Sequence, residues 1–128
     1  MKSIVKTEKA PAAIGPYNQG IVTGGDRLLF TAGQIPLIPG TDKMRNDSIE
    51  AATEQVFANL EAILQAAGTG FENVVKMTVF LTDMSEFAAM NEVYARYFPD
   101  KPPARSAIEV AALPKGARIE IEAIALVP

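Results

Sequence analysis

Arg105, Glu120 and Glu122 are the residues best placed for chemistry, because they sit in two short runs with the alternation of β-strands. The runs are 103–110 and 118–125, joined by a turn containing Pro114 and Gly116. In the first, Ser106, Ile108 and Val110 share one face and Arg105, Ala107 and Glu109 the other. In the second, Ile119, Ile121, Ala123 and Ala125 make an apolar face. Arg118, Glu120 and Glu122 point the opposite way, until Ile124 and Leu126 turn that face apolar again. A guanidinium is a rigid fork of donors and a carboxylate can move protons, so these polar faces could form a compact polar site. The same pattern fits a solvated outer face with ordinary ion pairs.

Such residues need a scaffold, and the rest of the chain spells one out. Residues 2–7 read as a first strand, followed by a loop set by Pro11, Gly15 and Pro16 that carries Tyr17. By pattern alone, Tyr17 packs its ring and leaves its hydroxyl wet. Residues 20–23 and 27–32 form two strands across the turn Gly24-Gly25-Asp26. Gly33, at the end of the second, suits either close approach of a ligand or a bend. Asp47 with Glu50 resembles a capping box, and Ile49, Ala52, Val56, Leu60 and Ile63 continue as a helical stripe closed by Gly68. Residues 74–82 read as a central strand. Asp83 or Ser85 can cap a second helix, whose stripe of Phe87, Met90, Tyr94 and Tyr97 reads as core and ends before Pro99. Asn91, four residues after Phe87, falls beside that stripe, where an exposed amide is the ordinary outcome.

The resulting order is three strands, helix, strand, helix, two strands, which predicts a single α+β domain over 1–128 with both helices on one face of the sheet. No element is left to cover the other face, so oligomerisation is expected to bury it and to leave polar pockets between subunits.

Composition excludes several chemistries. The 128 residues, 48% hydrophobic and 21% charged, are globular in balance. A net charge of -3 with no Lys/Arg cluster gives no track for nucleic acid, and none is expected as a partner. With no cysteine there is no thiolate nucleophile, and with no histidine neither a Ser-His-Asp triad nor the usual zinc site. No run approaches a membrane span or a signal-peptide core, so a cytoplasmic protein is expected.

The stretches 10–17 (Ala-Pro-Ala-Ala-Ile-Gly-Pro-Tyr), 32–36 (Ala-Gly-Gln-Ile-Pro), 103–106 (Pro-Ala-Arg-Ser) and 119–123 (Ile-Glu-Ile-Glu-Ala) together resemble the RidA/YjgF family of reactive-intermediate deaminases, in order and spacing. The resemblance implies a chorismate-mutase-like α+β fold, a mixed six-stranded sheet with two helices packed on one face. It also implies a homotrimer with a cleft at each subunit boundary, and hydrolysis of imino and enamino acids to 2-keto acids and ammonia without cofactor or metal. By position it makes Arg105 and Glu120 catalytic, with Tyr17, Gly33, Asn91, Arg105 and Ala107 around the substrate. Ala107 and Ala32 depart from the commonest pattern, cysteine and serine respectively, which bears on substrate range. Two other readings accompany this one: a module that senses 2-keto or amino acids in the same clefts, and a ribonuclease. The missing histidine and acidic charge count against the second.

Overall fold

The chain runs β1 (Lys2–Val5), β2 (Gly20–Thr23), β3 (Leu28–Thr31), α1 (Ile49–Ala66), β4 (Val74–Leu81), α2 (Phe87–Ala95), β5 (Ala104–Glu109) and β6 (Ile119–Leu126). The computed structural model describes residues 2–14 and 17–128, so Gly15 and Pro16 of the expected loop lie outside the described residues. The strands form one six-stranded sheet in the order β1-β2-β3-β6-β4-β5. It is mixed: β4 and β5 are parallel, as a helical crossover through α2 permits, and the other pairs are antiparallel.

Both helices cover one sheet face. The α1 stripe and the β6 residues Ile119, Ile121 and Ala125 meet there with no more than 4% exposure, beside Met77, Val79 and Leu81 of β4. Aromatic packing joins the two helices: Phe57 stacks on Tyr97 at 4.1 Å and meets Tyr94 edge-on at 5.6 Å. Several boundaries differ from the sequence reading, three of them for local reasons. Ser48, not Asp47, caps α1, because its extended backbone lets Oγ accept from the Ala51 N–H at 3.1 Å. β1 stops at Val5, short of the expected residue 7, because the Thr7 N–H is taken by Gln19 Oε1 at 2.7 Å. Asp83 caps a short 3-10 turn, Met84–Glu86, accepting from the Ser85 N–H, and α2 begins only after it.

The opposite sheet face has no cover. Ile4, Phe30, Ile108 and Leu126 stand 39 to 64% exposed across it, a row of large apolar side chains that no element among the described residues shields.

Candidate active site in two halves

Arg105 belongs to the edge strand β5, and its register partner is Met77, a fully buried residue beneath the helices. Its side chain therefore emerges on the helix-covered face, where α2 receives it. Asn91 Oδ1 accepts from Arg105 Nη1 at 2.7 Å, and the guanidinium carbon lies 4.5 Å from the Tyr94 ring centroid and 5.3 Å from that of Phe87. Residues 87, 91 and 94 are spaced so that one helix stripe supplies all three contacts. A guanidinium fixed in this way keeps its remaining N–H groups free as a planar fork for a carboxylate. Ala107, two residues on and on the same strand face, is partly buried against the core.

Glu120 lies on the other face. It pairs with Phe80 of β4, on the pleat opposite to the buried Val79 and Leu81. Beside it, Gln34 forms an isolated bridge with Ile121, the two residues exchanging backbone hydrogen bonds at 2.8 and 3.1 Å. That bridge presses Gly33 against the carboxylate: a Cβ at Gly33 would collide with Glu120 Oε2 and stand 2.8 Å from its Cδ. The loop is held from behind by the buried Asn59 of α1, which donates to the Ile35 and Leu37 carbonyls at 3.2 and 2.9 Å. A cavity of about 110 Å³ opens here, lined by Glu120, Gly33, Tyr17, Ile35, Pro114 and Lys115 among others. Burial raises the Glu120 pKa above its ordinary value of 4.5, and the nearby Glu122 raises it further.

One chain does not bring its two halves together. The single strand β4 separates β5 from β6, Arg105 aligns with Met77 whereas Glu120 aligns with Phe80, and the side chains leave opposite faces. With strands about 4.8 Å apart and about 3.3 Å per residue, the two backbones are roughly 14 Å apart, far beyond a three- or four-carbon acid. The expected compact site of guanidinium and carboxylates on shared polar faces is thus corrected: the faces are distinct. Arg118 is committed elsewhere, donating to Glu86 Oε2 at 2.8 Å and to the Asn46 carbonyl at 2.8 Å. Tyr17 and Gly33 join Glu120, whereas Asn91 and Ala107 join Arg105. Phe87 and Tyr94, read as core, are core on one side and the seat of Arg105 on the other.

Among the described residues, no group of three His, Cys, Asp or Glu side chains could hold a metal ion, and no helix is long and apolar enough to cross a membrane. The family model described as endoribonuclease L-PSP matches residues 7–127. The chain is 46% identical to a goat (Capra hircus) protein named 2-iminobutanoate/2-iminopropanoate deaminase, over 98% of this chain and 90% of that one. The crystal structure of a putative endoribonuclease from Thermotoga maritima superposes with a TM-score of 0.94 at 52% identity, covering 100% of this chain and 99% of that one. The E. coli protein TdcF with bound serine superposes at 0.91 with 43% identity, covering 98% and 99%.

Proposed function

The chain belongs to the RidA/YjgF family, described as endoribonuclease L-PSP, and on that footing we propose that it is a deaminase of reactive 2-imino and 2-enamino acids. 2-Aminoacrylate, 2-iminopropanoate and 2-iminobutanoate are its substrates, and 2-keto acids and ammonia its products. The observation that carries this reading is the seat of Arg105, a guanidinium oriented by Asn91, Phe87 and Tyr94 with its fork free. A 2-imino acid has a carboxylate for that fork and, one bond away, an electrophilic C=N carbon.

The chemistry needs one water and one proton shuttle. An enamino acid first takes a proton from solvent at C3, and an imino acid one at nitrogen, so that both present an iminium. Glu120 takes a proton from water as its oxygen bonds to the iminium carbon, giving a carbinolamine. It then returns the proton to nitrogen, the C–N bond breaks, and the hydroxyl loses its proton to leave the keto group. No oxidation state changes, so the reaction calls for no redox partner. Tyr17 donates a hydrogen bond that closes the pocket, and Ala107 sets its floor.

The separation of the two halves favours a homotrimer in which the Arg105 half of one protomer faces the Glu120 half of the next, with the uncovered sheet face inside the assembly. Sedimentation at micromolar concentration tests this; a monomer with full activity would sink it. The reaction is tested by generating the imine with an amino-acid oxidase and following ammonia and 2-keto acid release. No acceleration across several imino acids would favour the sensing reading, which the serine held by TdcF also supports. The ribonuclease reading has less support, since the chain is acidic and lacks histidine.

Two expected outcomes follow from the Glu120 half. Gly33→Ala leaves the fold intact, because the colliding atoms are the far end of a flexible side chain, but it displaces the carboxylate. Turnover is expected to fall by about 100-fold with KM little changed, the cost of a misplacement near 1 Å, read by steady-state kinetics. Glu122→Gln removes the repulsion that helps hold the Glu120 pKa up. Glu120 acts as a base only when ionised, so the acid limb of the kcat/KM profile is expected to move to lower pH. A limb that stays in place would mean another group sets it.

A further inference from the structure

Tyr94 carries a feature that core packing does not explain. The residue is 6% exposed, and its hydroxyl is buried with no partner at hydrogen-bond geometry among the described residues of its own chain. An orphaned buried hydroxyl costs more than a satisfied one gains, and phenylalanine would fill the same space without it. The neighbours of the ring are aromatic: Phe57 edge-on at 5.6 Å and Phe98 at 5.0 Å offer it no acceptor. The polar group that reaches it is the guanidinium of Arg105, 4.5 Å from the ring centroid. Burial raises the phenol's pKa, and the guanidinium's charge and its N–H groups, close enough to act on the hydroxyl without meeting full hydrogen-bond geometry, partly offset that rise. Arg105 is thus seated on Tyr94, with the hydroxyl beside it short of a formed bond.

Resting on the deaminase reading of this site, we propose that Tyr94 is a positioning residue for Arg105: its hydroxyl oxygen accepts a guanidinium N–H once a substrate carboxylate engages the fork. In the free protein, Asn91 holds Nη1 at 2.7 Å and the Tyr94 oxygen waits. A carboxylate pulls the fork towards itself, and the small shift closes the missing bond from below. The orphan of the free state is then satisfied only in the complex, so its relief adds to affinity. The phenolic proton stays on oxygen throughout.

The conservative variant Tyr94→Phe separates this from a structural role, since it keeps the ring and removes the oxygen. Its melting temperature is expected to equal or exceed that of wild type, because an unsatisfied group is lost. The Kd for 2-oxobutanoate, by titration calorimetry, and the KM for 2-iminobutanoate are expected to rise about tenfold, the effect of one charge-assisted hydrogen bond, with kcat within about twofold. In an Arg105→Lys background, which lacks the planar fork, the same change is expected to leave Kd where it was. An unaltered Kd in Tyr94→Phe, or a weakening that persists in the lysine background, overturns the proposal. Binding of 2-oxobutanoate without turnover sinks the deaminase alone and leaves Tyr94 to be judged by Kd. A wild-type protein that binds no 2-keto acid overturns both.

Discussion

Arg105→Ala is expected to lower kcat/KM for 2-iminopropanoate by on the order of a thousandfold. The fork contributes two charge-assisted hydrogen bonds to the substrate carboxylate, each worth about 1.5–3 kcal/mol, and their joint loss corresponds to roughly 3–6 kcal/mol. The fold should survive, because Arg105 is only partly buried on an edge strand and its truncation leaves the Phe57 aromatic cluster in place. The Asn91 amide loses its donor but stays within reach of water. Lysine at this position should recover only part of the loss, since an ammonium cannot bind both oxygens in one plane.

The same variant tests the two-half geometry directly. Arg105→Ala and Glu120→Ala proteins are each expected to be inactive. After they are mixed under conditions that exchange subunits, sites reappear in which an intact Arg105 half faces an intact Glu120 half. With equal amounts and random assembly, each half is intact with even odds, so about one quarter of wild-type activity should return. A site held within one protomer would give none, because every chain in the mixture lacks one residue. Failure of complementation despite demonstrated exchange would therefore reject the shared cleft, whatever the single variants do.

The contrast between the two runs shows how far sequence carried the site. Alternation in 103–110 and 118–125 placed Ile119, Ile121, Ala123 and Ala125 on one face correctly, and all four are buried under the helices. It could not say that Arg105 shares that covered face while Glu120 leaves it, because the relation depends on the register of both strands against β4. Periodicity gives faces within a strand, and only pairing relates one strand's faces to another's. Likewise, the helical spacing of Phe87, Asn91 and Tyr94 was visible. That an arginine from an edge strand would sit on them was not, since an edge leaves room at the sheet border that no local pattern encodes. The tight approach of Gly33 to Glu120 depends on a bridge between residues 34 and 121, far apart in the chain. Element order and the two-helix layer, by contrast, were legible because each rests on contiguous stripes.

Glu120→Gln is expected to separate activity from stability in opposite directions. Glutamine keeps the size and the contacts at Gly33 but cannot accept the proton of water. Turnover should then fall by about 100- to 10,000-fold, the usual contribution of a positioned acid/base, with KM nearly unchanged because the carboxylate clamp lies in the other half. The stability effect follows from the raised pKa. Burial and Glu122 disfavour the charged form in the folded state, so the folded protein binds this proton more tightly than the unfolded chain does. Stability contributed by this group therefore falls as pH rises from the ordinary 4.5 through the raised folded-state value, and it is restored on acidification. Glutamine carries no such penalty. The variant should melt above wild type at pH 7, and the difference should close below about pH 4, where Glu120 is protonated in both states. Scanning calorimetry at the two pH values, beside kcat and KM, reads all of this. A variant that melts lower at pH 7 would mean the carboxylate supports the fold, and retained turnover would remove Glu120 from the chemistry. Loss of turnover with a gain in melting temperature is the signature of a carboxylate kept partly buried, at a cost to stability, for the proton it moves.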